Sequence, residues 1–158
     1  MKIFIGSDHA GFGLKEKLKP FLVSLGHTVE DKGANEYNEG DDYPNFIIPV
    51  AREVSLHPND VRGIILGGSG QGEAMAANKF RNVRAAVYYG QGEYVVKDES
   101  ESIIRLSRLH NNSNILSIGA RFVTEEDAEK AVKVWLETEF LTDPKYQRRI
   151  DKMERIHE

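Results

Sequence analysis

Residues 63–73 read Gly-Ile-Ile-Leu-Gly-Gly-Ser-Gly-Gln-Gly-Glu, a short apolar run that passes into a glycine-rich loop and ends in the acid Glu73. The apolar run predicts a buried strand, and the glycines predict a loop whose N–H groups can approach a bound anion closely. A carboxylate directly after such a loop would repel a phosphate held there. We therefore interpret the stretch as an active-site loop in which Glu73 transfers a proton.

The strand, loop and helix pattern of this stretch is repeated along the chain. β-rich segments are expected at residues 1–7, 28–31, 62–66, 83–88 and 114–118. Apolar residues at helical spacing, with turn and capping signals, predict helices over about 12–25, 44–56, 74–80, 95–109 and 124–136, and a last one from 143. Alternating strands and helices predict the α/β class: a three-layer α/β/α sandwich around a doubly wound, Rossmann-like, five-stranded parallel sheet.

Length and composition limit the class of protein. A chain of 158 residues predicts one domain over 1–158. A net charge of -4 with interspersed acids and bases gives no broad basic surface, so we expect no nucleic-acid partner. With no signal-peptide pattern and no apolar run near the ~20 residues of a membrane span, we expect a cytoplasmic protein without a membrane partner.

Metal and thiol chemistry are not expected. The chain has no cysteine, which excludes disulfides, thiolate metal sites and a thiol nucleophile. Its five histidines are scattered rather than clustered at ligand spacing, so we predict no metal.

The candidate site residues follow strands one, three and five, whose carboxyl ends should meet at one edge of the sheet. They are Asp8, His9, the loop 69–73 and Arg121. The loop lacks the Lys-Ser/Thr pair of a P-loop and has the wrong spacing for a dinucleotide fingerprint, and a plain strand-to-helix turn is the structural alternative. The Ser69 hydroxyl and loop N–H groups can stabilise an oxyanion while Glu73 removes a proton beside a carbonyl. Burial would raise the pKa of Glu73 and the helix N-terminus would lower it, and the sequence leaves open which effect is larger.

His9 and His110 are candidates for the remaining proton transfers, although either can be a histidine satisfied by backbone partners. His110 precedes strand five, whereas Arg121 follows it. One chain cannot easily bring His110 and Glu73 into one pocket, but a second subunit can.

The motifs at 6–11, 42–44, 67–73, 76–79, 106–108, 110–111 and 147–149 together resemble the ribose-5-phosphate isomerase type B family, which includes galactose- and allose-6-phosphate isomerases. The resemblance implies cofactor-free and metal-free interconversion of ribose 5-phosphate and ribulose 5-phosphate through an enediolate, as in the pentose phosphate pathway. It implies that Glu73 is the base, that Ser69 and the loop residues Gly68, Gly70, Gln71 and Gly72 hold the substrate oxygens, and that His110 opens the sugar ring. It assigns substrate binding also to Asp8, His9, Tyr43, Asn111, Arg121, Lys145 and Arg149.

The family resemblance also implies a homodimer or tetramer with active sites shared between subunits, and a helix over 143–158 that packs on or reaches a partner. Many relatives carry a cysteine base where this chain has Gly67, so the sequence resembles the glutamate-using branch. Lys145 and Tyr146 stand where relatives often have Arg-His, and residues 90–102 form a longer, more acidic connection. These departures leave two alternatives: an isomerase of a hexose 6-phosphate of the allose or galactose type, or a non-catalytic sugar-phosphate-binding module.

Overall fold

The computed structural model describes residues 1–90 and 102–157. Its strands are β1 Lys2–Ser7, β2 Thr28–Asp31, β3 Val61–Gly67, β4 Ala85–Tyr88 and β5 Ile115–Gly119. Its helices are α1 His9–Ser24, α2 Pro44–Leu56, α3 Gln71–Ala77, α4 Ile103–Asn111, α5 Glu125–Glu137 and α6 Pro144–Glu154, and a 3₁₀ turn follows over Arg155–His157.

The strands form one parallel sheet in the order β2-β1-β3-β5-β4. The order reverses direction at β1 and β3, which leaves a crevice beyond their carboxyl ends. Gly67 at the end of β3 pairs in register with Gly119 at the end of β5. The loops after these two strands therefore start side by side.

Both faces of the sheet are covered, because successive side chains of a strand point to opposite sides. Ile64 and Leu66 pack in one core with residues of α1, α4 and α5, including the fully buried Trp135. Ile65 packs in the second core with residues of α2 and α3. The predicted three-layer α/β/α fold is confirmed.

Several boundaries differ from the sequence prediction. α3 begins at Gln71 rather than at 74 and ends at Ala77 rather than at 80, because its first turn is polar and gives no apolar periodicity. β4 begins at Ala85, two residues later than expected. α4 covers Ile103–Asn111, and the part of the helix predicted over 95–101 lies outside the described residues, as does most of the 90–102 connection.

The predicted N-cap of α5 is present. The Thr124 hydroxyl accepts the Asp127 N–H at 3.1 Å, and the Asp127 carboxylate accepts the Thr124 N–H in return. Within 1–90 and 102–157, no helix has the length and apolar character needed to cross a membrane.

Candidate active site

A cavity of about 370 Å³ lies where β1, β3 and β5 end. Its walls come from the loops after these three strands, together with the residue that precedes α2. The lining residues are Asp8, His9, Ala10, Tyr43, Gly68, Ser69, Gly72, Glu73, Arg121 and Phe122.

Contacts to the end of β5 fix the glycine loop. Gly70 has φ +75°, a left-handed conformation that favours glycine. The Ser117 hydroxyl donates to the Gly70 carbonyl at 2.6 Å, and the Ala120 N–H donates to the Gly67 carbonyl at 2.8 Å. The loop thus keeps its shape without a ligand.

Ser69 is oriented for donation. Its hydroxyl oxygen accepts the Gln71 N–H at 3.3 Å, which leaves the hydroxyl proton free to point to a ligand oxygen. The backbone N–H of Ser69 has no protein acceptor in the part of the chain that the structure describes. These donors can stabilise a negative oxygen in the cavity.

Glu73 lies in the first turn of α3 and is 4% exposed. Burial raises its pKa; its own backbone N–H opposes that shift, and the negative charge of Asp8 adds to it. The sequence left open whether burial or the helix N-terminus has the larger effect on this pKa, and in the structure burial has the larger effect. A carboxyl with a raised pKa gives up and takes back a proton more readily near neutral pH.

Asp8 and His9 begin α1 at the carboxyl end of β1. The buried Asp8 carboxylate caps the helix by accepting the N–H groups of Ala10 at 3.0 Å and Gly11 at 3.2 Å. His9 Nδ1 lies 2.7 Å from Asp41 Oδ1, which also accepts the His9 backbone N–H at 3.1 Å. The Asp41 contact raises the pKa of His9, opposed by burial and by the charge of Arg121.

Arg121 supplies a positive charge to the cavity wall. Its guanidinium lies close to the backbone of Gly68. If Gly68 carried a Cβ, that atom would lie 3.3 Å from Cζ of Arg121. Tyr43 closes the wall at the start of α2 and lies against Gly72.

The remaining predicted site residues lie elsewhere in this chain. His110, Asn111, Lys145 and Arg149 belong to α4 and α6 and do not line the cavity. α4 leads into the amino end of β5, and the five residues of β5, at about 3.3 Å each, separate that end from the cavity by roughly 15 Å. The expectation that one chain does not bring His110 to Glu73 agrees with this geometry.

Three of these distant residues, His110, Lys145 and Arg149, lie around the Tyr146 ring on α4 and α6. The rings of His110 and Tyr146 stack with centroids 4.3 Å apart. Lys145 Nζ lies 4.6 Å and Arg149 Cζ 5.8 Å from the Tyr146 ring centroid. Glu154 bonds Arg84 at 2.8 Å, which fastens the other end of α6 to its own chain.

The loop residues Gly70 and Gln71, expected to bind substrate, do not line the cavity. Gly70 is buried beneath the loop, and the Gln71 side chain is exposed.

The sequence did not indicate Ala10, Asp41 or Phe122. Residues 41–44 carry Asp, Asp, Tyr and Pro, which we interpreted as turn chemistry before α2. Asp41 lies two positions before Tyr43, and this closeness in the chain is the signal that could have indicated it. Donor atoms of Asp8, His9 and Asp41 lie within 4.8 Å of one another, a spacing that a metal ion also uses. The hydrogen bond between His9 and Asp41 already accounts for that proximity.

Comparison with known proteins identifies relatives along almost the whole chain. A family model described as Ribose/Galactose Isomerase matches residues 3–153. Ribose-5-phosphate isomerase B of Mycolicibacterium paratuberculosis is 38% identical over 100% of this chain and 94% of its own length. Ribose-5-phosphate isomerase B of Escherichia coli is 37% identical over 99% and 97%.

Solved structures agree with these sequence matches. Ribose-5-phosphate isomerase B of Mycoplasma genitalium with bound ribulose-5-phosphate superposes with a TM-score of 0.86 at 37% identity, covering 99% of this chain and 95% of that one. The Clostridium thermocellum protein of the same name gives 0.86 at 39% identity, covering 99% and 97%.

Proposed function

The chain belongs to the Ribose/Galactose Isomerase family, and on that premise we propose that it interconverts ribose 5-phosphate and ribulose 5-phosphate through an enediolate. The observation that carries the proposal is the buried Glu73 carboxyl at the wall of a cavity formed by the glycine loop. The two relatives are named ribose-5-phosphate isomerase B, and the match covers 94% and 97% of their own length.

Glu73 is the base in this proposal. Its carboxylate takes the proton from C2 of the open-chain aldose, and the electron pair of the C–H bond forms the enediolate. The same carboxyl then returns the proton to C1 while the hydroxyl proton on O2 passes to O1, which gives the ketose. One group can do both steps because its raised pKa lowers the free-energy difference between its two protonation states at neutral pH.

The glycine loop stabilises the charge that develops on the substrate oxygens. The Ser69 hydroxyl and the Ser69 N–H are held in place by contacts within the chain. Pre-placed donors of this kind contribute about 3 kcal/mol each in acyl-transfer enzymes.

The ring oxygen needs a proton donor, and the phosphate needs positive groups in addition to those that this chain brings to the cavity. Arg121 supplies positive charge on the cavity wall, and His9 lies on the same wall. We propose that His110, Asn111, Lys145 and Arg149 of a partner subunit complete the site in a homodimer or tetramer, and that His110 protonates the ring oxygen. We also propose that the protein works in the cytoplasm and that the reaction uses no cofactor and no metal.

The test is exchange of the substrate proton with solvent. In D₂O the wild-type protein should incorporate deuterium at C1 or C2 of the sugar phosphate, measured by NMR. Glu73→Gln should lower turnover at least about 10³-fold, since an amide cannot accept the proton. Glu137→Gln, an exposed acid on α5, is the control and should keep full turnover.

Assays on ribose 5-phosphate, allose 6-phosphate and galactose 6-phosphate would identify the sugar. A higher kcat/KM on a hexose phosphate would favour the hexose alternative. Binding of ribose 5-phosphate with neither deuterium exchange nor formation of the ketose would show a binding module and contradict the isomerase.

A further inference from the structure

Asp41 has no role in the reaction described above, yet it makes two hydrogen bonds to His9. We propose that Asp41 is a positioning residue that keeps His9 as an imidazolium, so that its Nε2–H donates to the phosphate group of the sugar phosphate. The phosphate part of this inference rests on the proposed function.

The geometry fixes which ring nitrogen is free. Asp41 Oδ1 lies 2.7 Å from His9 Nδ1 and 3.1 Å from the His9 backbone nitrogen. A carboxylate only accepts, so Nδ1 must carry a proton and Nε2 is the nitrogen left for a ligand. The Tyr37 ring lies edge-on to the imidazole, with 6.2 Å between the ring centroids.

The burial of Asp41 favours the charged form of His9. The Asp41 side chain is 7% exposed, and its Oδ2 is buried with no hydrogen-bond partner among the described residues. A buried carboxylate with an unpaired oxygen is unfavourable unless a positive charge lies beside it. The group in contact with Asp41 that can supply this charge is the His9 ring.

Protonation changes what His9 offers to the cavity. A neutral ring with its proton on Nδ1 presents a lone pair at Nε2, which repels a phosphate oxygen. An imidazolium presents an N–H donor and a positive charge, beside the guanidinium of Arg121 on the same cavity wall. The charged and titratable groups around His9 are Asp8 on its own segment, Tyr37 and Asp41 after β2, Tyr43 before α2, Glu73 on α3 and Arg121 after β5.

The decisive variant is Asp41→Asn, because the amide oxygen can still accept both His9 hydrogen bonds while the negative charge is lost. Glu36→Gln is the matched control, since it removes an exposed acid of the same loop that does not touch His9. The titration of His9 is followed by NMR on histidine-labelled protein, with the signal assigned through His9→Gln. KM and kcat for ribose 5-phosphate are measured from pH 6 to pH 9.

We expect His9 of the wild type to titrate above 6.5 and that of Asp41→Asn to titrate about one pH unit lower than the wild type. KM should rise about 5-fold in Asp41→Asn at pH 7.5, with kcat changed less than 2-fold, and Glu36→Gln should match the wild type. In a His9→Gln background, Asp41→Asn should have no further effect on KM.

The inference is overturned if His9 of the wild type titrates at or below 6.5, or at the same pH in both proteins. It is also overturned if Asp41→Asn raises KM equally with and without His9. Absence of turnover on ribose 5-phosphate in the wild type would instead contradict the proposed function, and the NMR titration would still decide whether Asp41 charges His9.

Discussion

Glu73 occupies space that only a glycine at position 67 leaves open. A Cβ added at Gly67 would lie 1.7 Å from Glu73 Oε1, far inside any permitted contact. The cysteine that many relatives are expected to carry at this position therefore cannot coexist with Glu73 in its present orientation. The sequence showed the glycine, but only the packing of the carboxyl over it shows why the two positions depend on each other.

Because it is buried, the Glu73 carboxylate should lower the stability of the folded protein at neutral pH. Its pKa is raised in the folded state, chiefly by burial, so the folded protein holds the proton more tightly than the unfolded chain does. The contribution of Glu73 to the free energy of unfolding is therefore fully present below the unfolded pKa of about 4.5, and it is lost as pH rises through the folded pKa. Glu73→Gln should raise Tm at pH 7 by about 2–4 °C, the shift that ~1 kcal/mol gives in a chain of this length.

Thermal unfolding at pH 7 and pH 4, at equal protein concentration, measures this effect. At pH 4, below both pKa values, the carboxyl is mostly protonated in both states, and the variant and the wild type should unfold at similar temperatures. A variant that is less stable than the wild type at pH 7 would show that Glu73 makes stabilising contacts that outweigh its burial.

At the scale of elements, a buried ion pair joins α1 to the end of β2. Lys15 is 0% exposed and bonds Asp31, which also accepts Lys19 Nζ at 2.8 Å and the Gly33 N–H at 2.9 Å. Burial alone would raise the pKa of Asp31, but these hydrogen bonds outweigh it and the pKa is lowered. The pair fixes the start of the loop that carries Asp41 against the helix that begins with His9.

Asp31→Asn should destabilise the protein more than Lys15→Met does. The first change leaves a fully buried ammonium with Glu16 as its one charged partner among the described residues, whereas the second leaves Asp31 with Lys19 and the Gly33 N–H. We expect a loss of about 2–3 kcal/mol for Asp31→Asn, below the upper range for buried pairs because Asp31 is partly exposed. Urea unfolding monitored by circular dichroism gives the free energy of unfolding.

Lys17→Met is the control for the Lys15 and Asp31 variants, since Lys17 pairs with Glu125 in a largely exposed bridge. Its free energy of unfolding should stay within about 0.5 kcal/mol of the wild type. An equally small effect of Asp31→Asn would mean that the buried pair does not stabilise the fold.

The sequence predicted a structural element correctly where a single local pattern of side chains determines it. The strands were recognised because apolar and β-branched residues run together, and the α5 cap because Thr124 precedes Asp127 by three residues. The start of α3 was missed because a polar first turn follows a left-handed Gly70. Asp41 was missed because its bond to His9 joins residues 32 positions apart, a contact that local patterns do not contain.

At the scale of the whole molecule, parallel strand direction determines what one chain can assemble. The carboxyl ends of β1, β3 and β5 bring Asp8, Glu73 and Arg121 to one cavity. The same rule places His110 at the amino end of β5, on the opposite edge of the sheet. The sequence predicted this separation from chain order alone, whereas the partner that would bring His110 to Glu73 is not determined by the fold of one chain.

Mixing two inactive variants tests whether active sites are shared between subunits. If His110 acts in the partner's cavity, a hybrid dimer of Glu73→Gln and His110→Ala chains contains one intact site and one doubly damaged site, because each site takes Glu73 from one chain and His110 from the other. Random reassociation makes half of the dimers hybrid, and each hybrid has one intact site out of two. The mixture should therefore recover about a quarter of wild-type turnover on ribose 5-phosphate. Each variant that is unfolded and refolded alone should stay inactive. Turnover of the mixture no greater than the mean of the two parents would show that Glu73 and His110 do not meet across a subunit interface.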